Sequence, residues 1–180
     1  MARIFAALLL PAEVVSHLDE HIDGVRTAHP HLRWAHPSRW HVTLEFLGEC
    51  GRHEVDRQLR RWEVRAARSP ALRLRLHGAG TYPRPWMARV LWTGLSGDVD
   101  GWRRLAGYQQ EPHVTLARAR ERTDLTNLVA ELGSYTGPSW TATEMALIES
   151  HLRAGKASGP RYEPLEEFRL GAGSSTEETS

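Results

Sequence analysis

Two four-residue stretches of the chain are identical: His41-Val42-Thr43-Leu44 and His113-Val114-Thr115-Leu116. Side chains alternate along a strand, so His41 and Thr43 share one face while Val42 and Leu44 share the other. The same holds for His113 with Thr115, and for Val114 with Leu116. Each copy therefore offers an apolar face to a core and an imidazole with a hydroxyl to the opposite side. Two such pairs around one cleft would suit a small anion. Imidazole titrates near neutrality, so one histidine can take a proton from water while the other protonates a leaving oxygen. The hydroxyls can donate to non-bridging oxygens and hold a phosphorus in line with the water. A cyclic phosphodiester is the kind of substrate this set could hydrolyse. The sequence lacks the dense Asp/Glu/His cluster of a two-metal centre, so no metal and no cofactor are expected.

The elements that must position these residues can be read from apolar spacing. Ile4 to Leu10 is a continuous apolar run, as in a central strand. Pro11 then opens a helix from Ala12 to about Thr27, with Val14, Val15, Leu18, Ile22 and Val25 on its buried side. His17 and His21 lie four apart on that helix and read as solvated residues in preference to a metal pair. His29, His31 and His36 read as surface residues around a short strand at Leu32 to Trp34. Trp40 to Leu47 is the first motif strand, closed by Gly48, with Cys50 and Gly51 in a loop. His53 to about Arg68 is a helix, apolar through Val55, Leu59, Trp62 and Ala66. Its other side carries Arg57, Arg60, Arg61, Arg65 and Arg68, a solvated face in preference to an RNA track.

Leu72, Leu74 and Leu76 alternate with polar residues, marking a half-buried strand. Gly78 to Trp86 reads as a loop, Ala88 to Thr93 as a strand and Asp98 to Ala106 as a short helix. The second motif strand ends near Ala117. Asp124 to Leu132 is a helix that Thr123 could cap. Thr141 to Glu149 reads as one strand, Gly155 to Pro160 as a turn and Tyr162 to Leu170 as the last strand. Trp34, Trp40, Trp86 and Trp92 read as core or rim, with Trp86 the best candidate for stacking on a base. Few connections have the regular strand–helix–strand form of a parallel sheet. The fold class is α+β with mainly antiparallel sheets, and the 72-residue spacing of the two motifs suits a pseudo-symmetric, two-lobed fold. Residues 1–170 are expected to form a single bilobal domain and residues 171–180 a disordered tail.

Composition narrows the class of function. A formal net charge of +1 provides no broad basic surface for long duplexes, so any nucleic-acid contact should be local. Cys50 is the lone cysteine, which excludes an intrachain disulfide and fits a reducing compartment, hence a cytoplasmic location. No stretch approaches the length of a membrane span, and no membrane association is expected. A monomer is expected.

The residues resemble those of the 2H phosphoesterases, and among them the RNA 2′,3′-cyclic phosphodiesterases, also called 2′-5′ RNA ligases. The resemblance rests on both His-x-Thr motifs, on Arg3 to Ala6 with Leu10-Pro11, on Phe46-Leu47-Gly48, on Val90 to Trp92 with Gly94-Leu95, on Pro112 to Arg118, and on Glu149-Ser150 with Leu152 and Gly155. It implies two lobes of antiparallel sheet with flanking helices and a central cleft, and hydrolysis of a terminal 2′,3′-cyclic phosphate to a 2′-phosphate, and it leaves room for a reversible 2′-5′ ligase activity. It implies His41 as proton donor, His113 as proton acceptor, and Thr43, Thr115 and Arg118 as phosphate-binding residues. Partners would be RNA ends or cyclic nucleotides. Simple alternation puts Arg118 on the Val114 face, so a strand end or a bulge is required to bring it to the cleft. Glu45 would share the face of His41 on a regular strand, and is given no catalytic role. The stretch from Gly94 to Pro112 is shorter than is usual in the family, and Gln110-Glu111 stands where an aromatic-basic pair is common. Two other readings remain at this stage: a phosphodiesterase for small cyclic nucleotides or ADP-ribose cyclic phosphate, and a non-catalytic RNA- or nucleotide-binding module.

Overall fold

Among the described residues, nine strands and four α-helices follow one another along the chain. They are β1 (Ala2–Leu9), α1 (Ala12–Ala28), β2 (Arg33–Trp34), β3 (His41–Cys50), α2 (Arg52–Arg68), β4 (Leu72–Tyr82), β5 (Ala88–Gly97), α3 (Val99–Ala106), β6 (His113–Thr123), α4 (Thr126–Leu132), β7 (Thr136–Ala142), β8 (Glu144–His151) and β9 (Arg161–Arg169). This computed structural model describes residues 1–107, 111–152 and 159–171. Most of the expected 155–160 turn, Gln110 and the expected tail beyond residue 171 lie outside the described residues.

The strands form two antiparallel sheets, one in the order β3-β1-β8-β9 and the other β2-β6-β5-β4-β7. The apolar run of β1 explains its central place: Ile4 to Leu8 are all buried, and both neighbours cover its edges. One face of the first sheet supplies Ala6, Leu8, Val42 and Leu44 to the main core. The second sheet meets them with Leu76, Leu91, Val114 and Leu116. Helix α1 adds Val14, Leu18 and Ile22, and α2 adds Trp62. Each large apolar side chain so buried contributes about 1.5–3 kcal/mol. The apolar halves of both motifs are thus anchors, and the two motif strands pack against each other where the sheets meet. The other face of the first sheet carries a separate apolar patch of Phe5, Ala7, Ala146 and Ile148, with Tyr162 packed against it.

Four expectations are corrected. Strand β3 continues through Gly48, whose φ of +76° suits a local irregularity, and ends at Cys50. Strand β4 continues through Gly78 to Tyr82, since β5 pairs with it as far as Tyr82↔Val90. The stretch Thr141 to Glu149 is two strands, because the chain changes sheets at Thr143: β7 pairs with β4 and β8 with β1. Thr123 ends β6, and Asp124 accepts the amide hydrogen of Thr126 at 2.9 Å at the start of α4.

Candidate active site

Each motif strand is bulged at the fourth residue of its motif. In β3, Thr43 lies opposite Ala7 and Glu45 opposite Ala6, which leaves Leu44 as the extra residue. In β6, Thr115 lies opposite Trp92 and Ala117 opposite Leu91, which leaves Leu116 as the extra residue. Both leucines are buried in the core. One inserted residue reverses the alternation beyond it. Arg118 consequently falls on the face of His113 and Thr115. In β3 the same shift turns Glu45 off the His41 face, where its carboxylate pairs with Arg61 of α2 at 2.7 Å. Phe46 takes the place on the His41 face, opposite Phe5.

The two histidines are held in the same way. The Nδ1–H of His41 donates to the carbonyl of Arg39 at 2.7 Å, and that of His113 to the carbonyl of Glu111 at 2.9 Å. With Nδ1 occupied, Nε2 of each ring is the nitrogen left for chemistry. In the neutral ring, Nε2 of His41 accepts the hydroxyl hydrogen of Thr43 at 3.0 Å. Helix α3 steadies the second clamp: Nη2 of Arg103 donates to both carboxylate oxygens of Glu111, at 3.1 and 3.0 Å. Rings fix the planes of both imidazoles. His41 lies 4.8 Å from the ring of Phe5 and edge-on to Tyr162 at 5.4 Å. His113 lies edge-on to Tyr82 at 5.2 Å and 5.8 Å from Trp92. Trp92 in turn covers Gly80, where a Cβ would run into the indole.

The electrostatics favour two neutral imidazoles. Burial lowers the pKa of His41 below its ordinary value; the Arg39 carbonyl opposes the shift, and the nearby His113 adds to it. Burial likewise lowers that of His113, opposed by the Glu111 carbonyl and aided by the charge of Arg118. The effect of His113 on His41, and that of Arg118 on His113, put the three groups within electrostatic reach of one another. An anion bound there would reverse the balance and favour protonation.

All five residues singled out in the sequence lie on the two motif strands, with Thr43 buried, Thr115 half-buried and Arg118 exposed. Sequence reasoning missed the ring neighbours Phe5, Tyr82 and Tyr162. Phe5 had a signal, since it alternates with Ile4 and Ala6, but Tyr82 and Tyr162 come from distant strands. Of the tryptophans, Trp40 is buried, Trp34 and Trp92 are half-buried, and Trp86 is 59% exposed with Arg84 over its ring. His17 and His21 are exposed on α1 and approach Tyr135, whose hydroxyl lies 3.0 Å from Nδ1 of His17. Burial pushes that hydroxyl's pKa up to about 12. Among the described residues, no three His, Cys, Asp or Glu side chains are grouped to hold a metal ion, and no helix is long and apolar enough to cross a membrane.

Comparisons with known proteins agree with this arrangement. Residues 8–92 match the model of the LigT-like phosphoesterase family. The RNA 2′,3′-cyclic phosphodiesterase of Thermus thermophilus is 31% identical over 189 residues, covering 93% of this chain and 90% of that protein. The crystal structure of TT0787, also of Thermus thermophilus, superposes with a TM-score of 0.77 at 28% identity, covering 94% of this chain and 98% of that one. E. coli LigT complexed with 3′-AMP superposes with a TM-score of 0.64 at 26% identity, with the same two coverages. Two bulged His-x-Thr strands in two antiparallel sheets, together with these likenesses, place the chain in the LigT-like family of 2H phosphoesterases.

Proposed function

We propose that this hydrolase opens the 2′,3′-cyclic phosphate at the end of an RNA strand and leaves a 2′-phosphate, with residues 1–170 acting as one unit in the cytoplasm. The observation that carries the reading is the matched pair of imidazoles, each clamped at Nδ1 by a main-chain carbonyl, with Nε2 of His41 meeting only the Thr43 hydroxyl among the described residues. His113, the more accessible of the two, takes a proton from water on Nε2. The water oxygen bonds to phosphorus as the bond from phosphorus to the 3′ oxygen breaks. His41 delivers its Nε2 proton to that departing oxygen. Each proton transfer typically contributes about 10²- to 10⁴-fold.

Thr43 changes partner in this scheme. In the resting site its hydroxyl is spent on Nε2 of His41. Once that nitrogen is protonated it no longer accepts, and the hydroxyl is released to a non-bridging oxygen. Thr115 serves the other side, and Arg118 offsets the charge that grows on the phosphoryl oxygens. Every step uses side chains of this chain. The occurrence of 3′-AMP on E. coli LigT supports a nucleotide phosphate as the occupant.

The test is incubation with 2′,3′-cyclic-ended oligoribonucleotides and with free cyclic nucleotides, in EDTA, with the product identified by mass and by 2′/3′ position. A 2′-phosphate product is expected. Binding without hydrolysis would instead favour a nucleotide-binding module.

A further inference from the structure

A 2′,3′-cyclic phosphate ends its strand, so the rest of an RNA leaves the cleft in one direction, through the 5′ oxygen of the last nucleotide. On the β9 side of His41 there is a hollow of about 900 Å³, within the about 300–1,000 Å³ of ligand pockets. It lies between α1, the 34–39 segment and the start of β9. The hollow does not include either histidine, yet two of its lining residues reach the cleft. Tyr162 stands edge-on to the His41 ring, and Arg39 carries the carbonyl that clamps it. The charges of Arg39 and Arg118 both act on the Tyr162 hydroxyl, which ties the hollow to the phosphate end of the cleft.

We infer that this hollow holds the nucleotide next to the cyclic end, so that the protein grips an RNA strand beyond its last residue. The inference rests on the proposed activity. Its chemistry is that of single-strand binding: cations for the connecting phosphodiester and flat rings for a base. Arg39 and Arg161 supply positive charge at the mouth, and Trp34 and Tyr162 supply ring surface. Arg26 also lines it but is held by Asp19 at 2.9 Å and Asp23 at 3.0 Å, so it shapes the wall. Arg161 shares its charge with Glu163 at 3.0 Å and remains more than half exposed. The Arg39 guanidinium lies against Gly159, where a Cβ would displace it. A free cyclic mononucleotide has nothing to place in this hollow, whereas an oligonucleotide does.

The experiment compares kcat/KM for a cyclic-phosphate-ended tetraribonucleotide with that for the matching 2′,3′-cyclic mononucleotide. Wild type should prefer the tetranucleotide. Ser38→Glu and Arg161→Glu each place a carboxylate at the hollow on an exposed residue, and should cut the ratio of the two values by about ten-fold, mainly through KM. Arg60→Glu, on the outer side of α2, is the control for general charge and should leave the ratio within about two-fold. A ratio near one in wild type, or an equal effect of all three variants, overturns the inference while leaving the activity standing. Failure of wild type to hydrolyse either substrate overturns the proposed activity instead. Fluorescence anisotropy of a 2′-phosphate-ended tetranucleotide then decides the hollow by itself: its affinity must fall in the two hollow variants and hold in Arg60→Glu.

Discussion

Phe46 and Arg118 occupy equivalent places in the two halves of the protein. Each stands five residues after its motif histidine and just past a buried, bulged leucine, and each is returned to the histidine's face by that bulge. The two halves use the place differently. Arg118 brings an exposed positive charge to the face of His113. Phe46, 69% exposed and 6.3 Å from the ring of Phe5, brings a flat apolar surface. A scaffold with near two-fold symmetry thereby presents two chemically unlike surfaces.

Removing either imidazole should nearly abolish turnover. His41→Ala and His113→Ala are each expected to lose about 10²- to 10⁴-fold in kcat. The double variant should fall little further than the worse single one, because the two act on one transition state. Hydrolysis of a cyclic-ended oligonucleotide in EDTA measures this. Unchanged rates in both single variants would end the two-histidine scheme.

Arg118→Ala should weaken binding of the phosphorylated product and lower kcat/KM by about 10- to 100-fold, the worth of a charged hydrogen bond of about 1.5–3 kcal/mol. Arg118→Lys should recover only part of this, since it keeps the charge and loses the fork. Loss confined to stability, with kinetics intact in the folded fraction, would place Arg118 outside the site.

Glu45 offers the opposite expectation. Its carboxylate is turned to Arg61, so Glu45→Ala should leave kcat and KM unchanged and cost less than about 1 kcal/mol of stability. A ten-fold fall in kcat would contradict the bulge in β3, because only a regular strand brings that carboxylate to His41.

Thr43→Val removes a hydroxyl while keeping the volume. It leaves Nε2 of His41 without its partner and a phosphoryl oxygen without its donor, and should lower kcat by about ten-fold or more. Thr43→Ser should restore most of the rate. Equal activity in the valine and serine variants would remove Thr43 from the scheme.

The pH profile follows from the two lowered histidine pKa values. Falling pH protonates the base and rising pH strips the acid, and for the free enzyme both events are displaced below the ordinary 6.5. The optimum of kcat/KM should therefore lie on the acid side of pH 6.5, with apparent values belonging to the pair. Bound phosphate favours the charged imidazoles, so the kcat profile should lie at higher pH than that of kcat/KM. Stability carries the same sign. Just below pH 6.5 the unfolded chain binds more protons than the folded one, so the melting temperature should fall as pH drops through that window. An optimum of kcat/KM above pH 7 would contradict the burial of these rings.

Much of the fold was legible because its signals are local. The apolar run of β1, the helical spacing of α1 and α2, and the alternation within each motif are all written in consecutive residues. The bulges were not legible. Leu44 and Leu116 look like ordinary inward residues, and an inserted position shows only through its partner strand. For Arg118 the sequence showed only that a strand end or a bulge was needed, and the pairing of β6 with β5 shows which. The change of sheets at Thr143 was hidden similarly, since Ala142, Met145 and Leu147 are apolar enough to read as one strand. Tyr82 and Tyr162 reach the histidines only through pairings between strands far apart in the chain.

Because main-chain oxygens at positions 39 and 111 receive the imidazole hydrogens, the tautomer of each ring is set by the path of the backbone. No side-chain replacement at those two positions can delete the acceptor. Glu111 therefore leaves the acceptor itself unchanged: it presents the same carbonyl that any other amino acid would, and its side chain adds only the tie to Arg103. Evolution is left free to rewrite the approach to the second histidine, provided the turn itself survives.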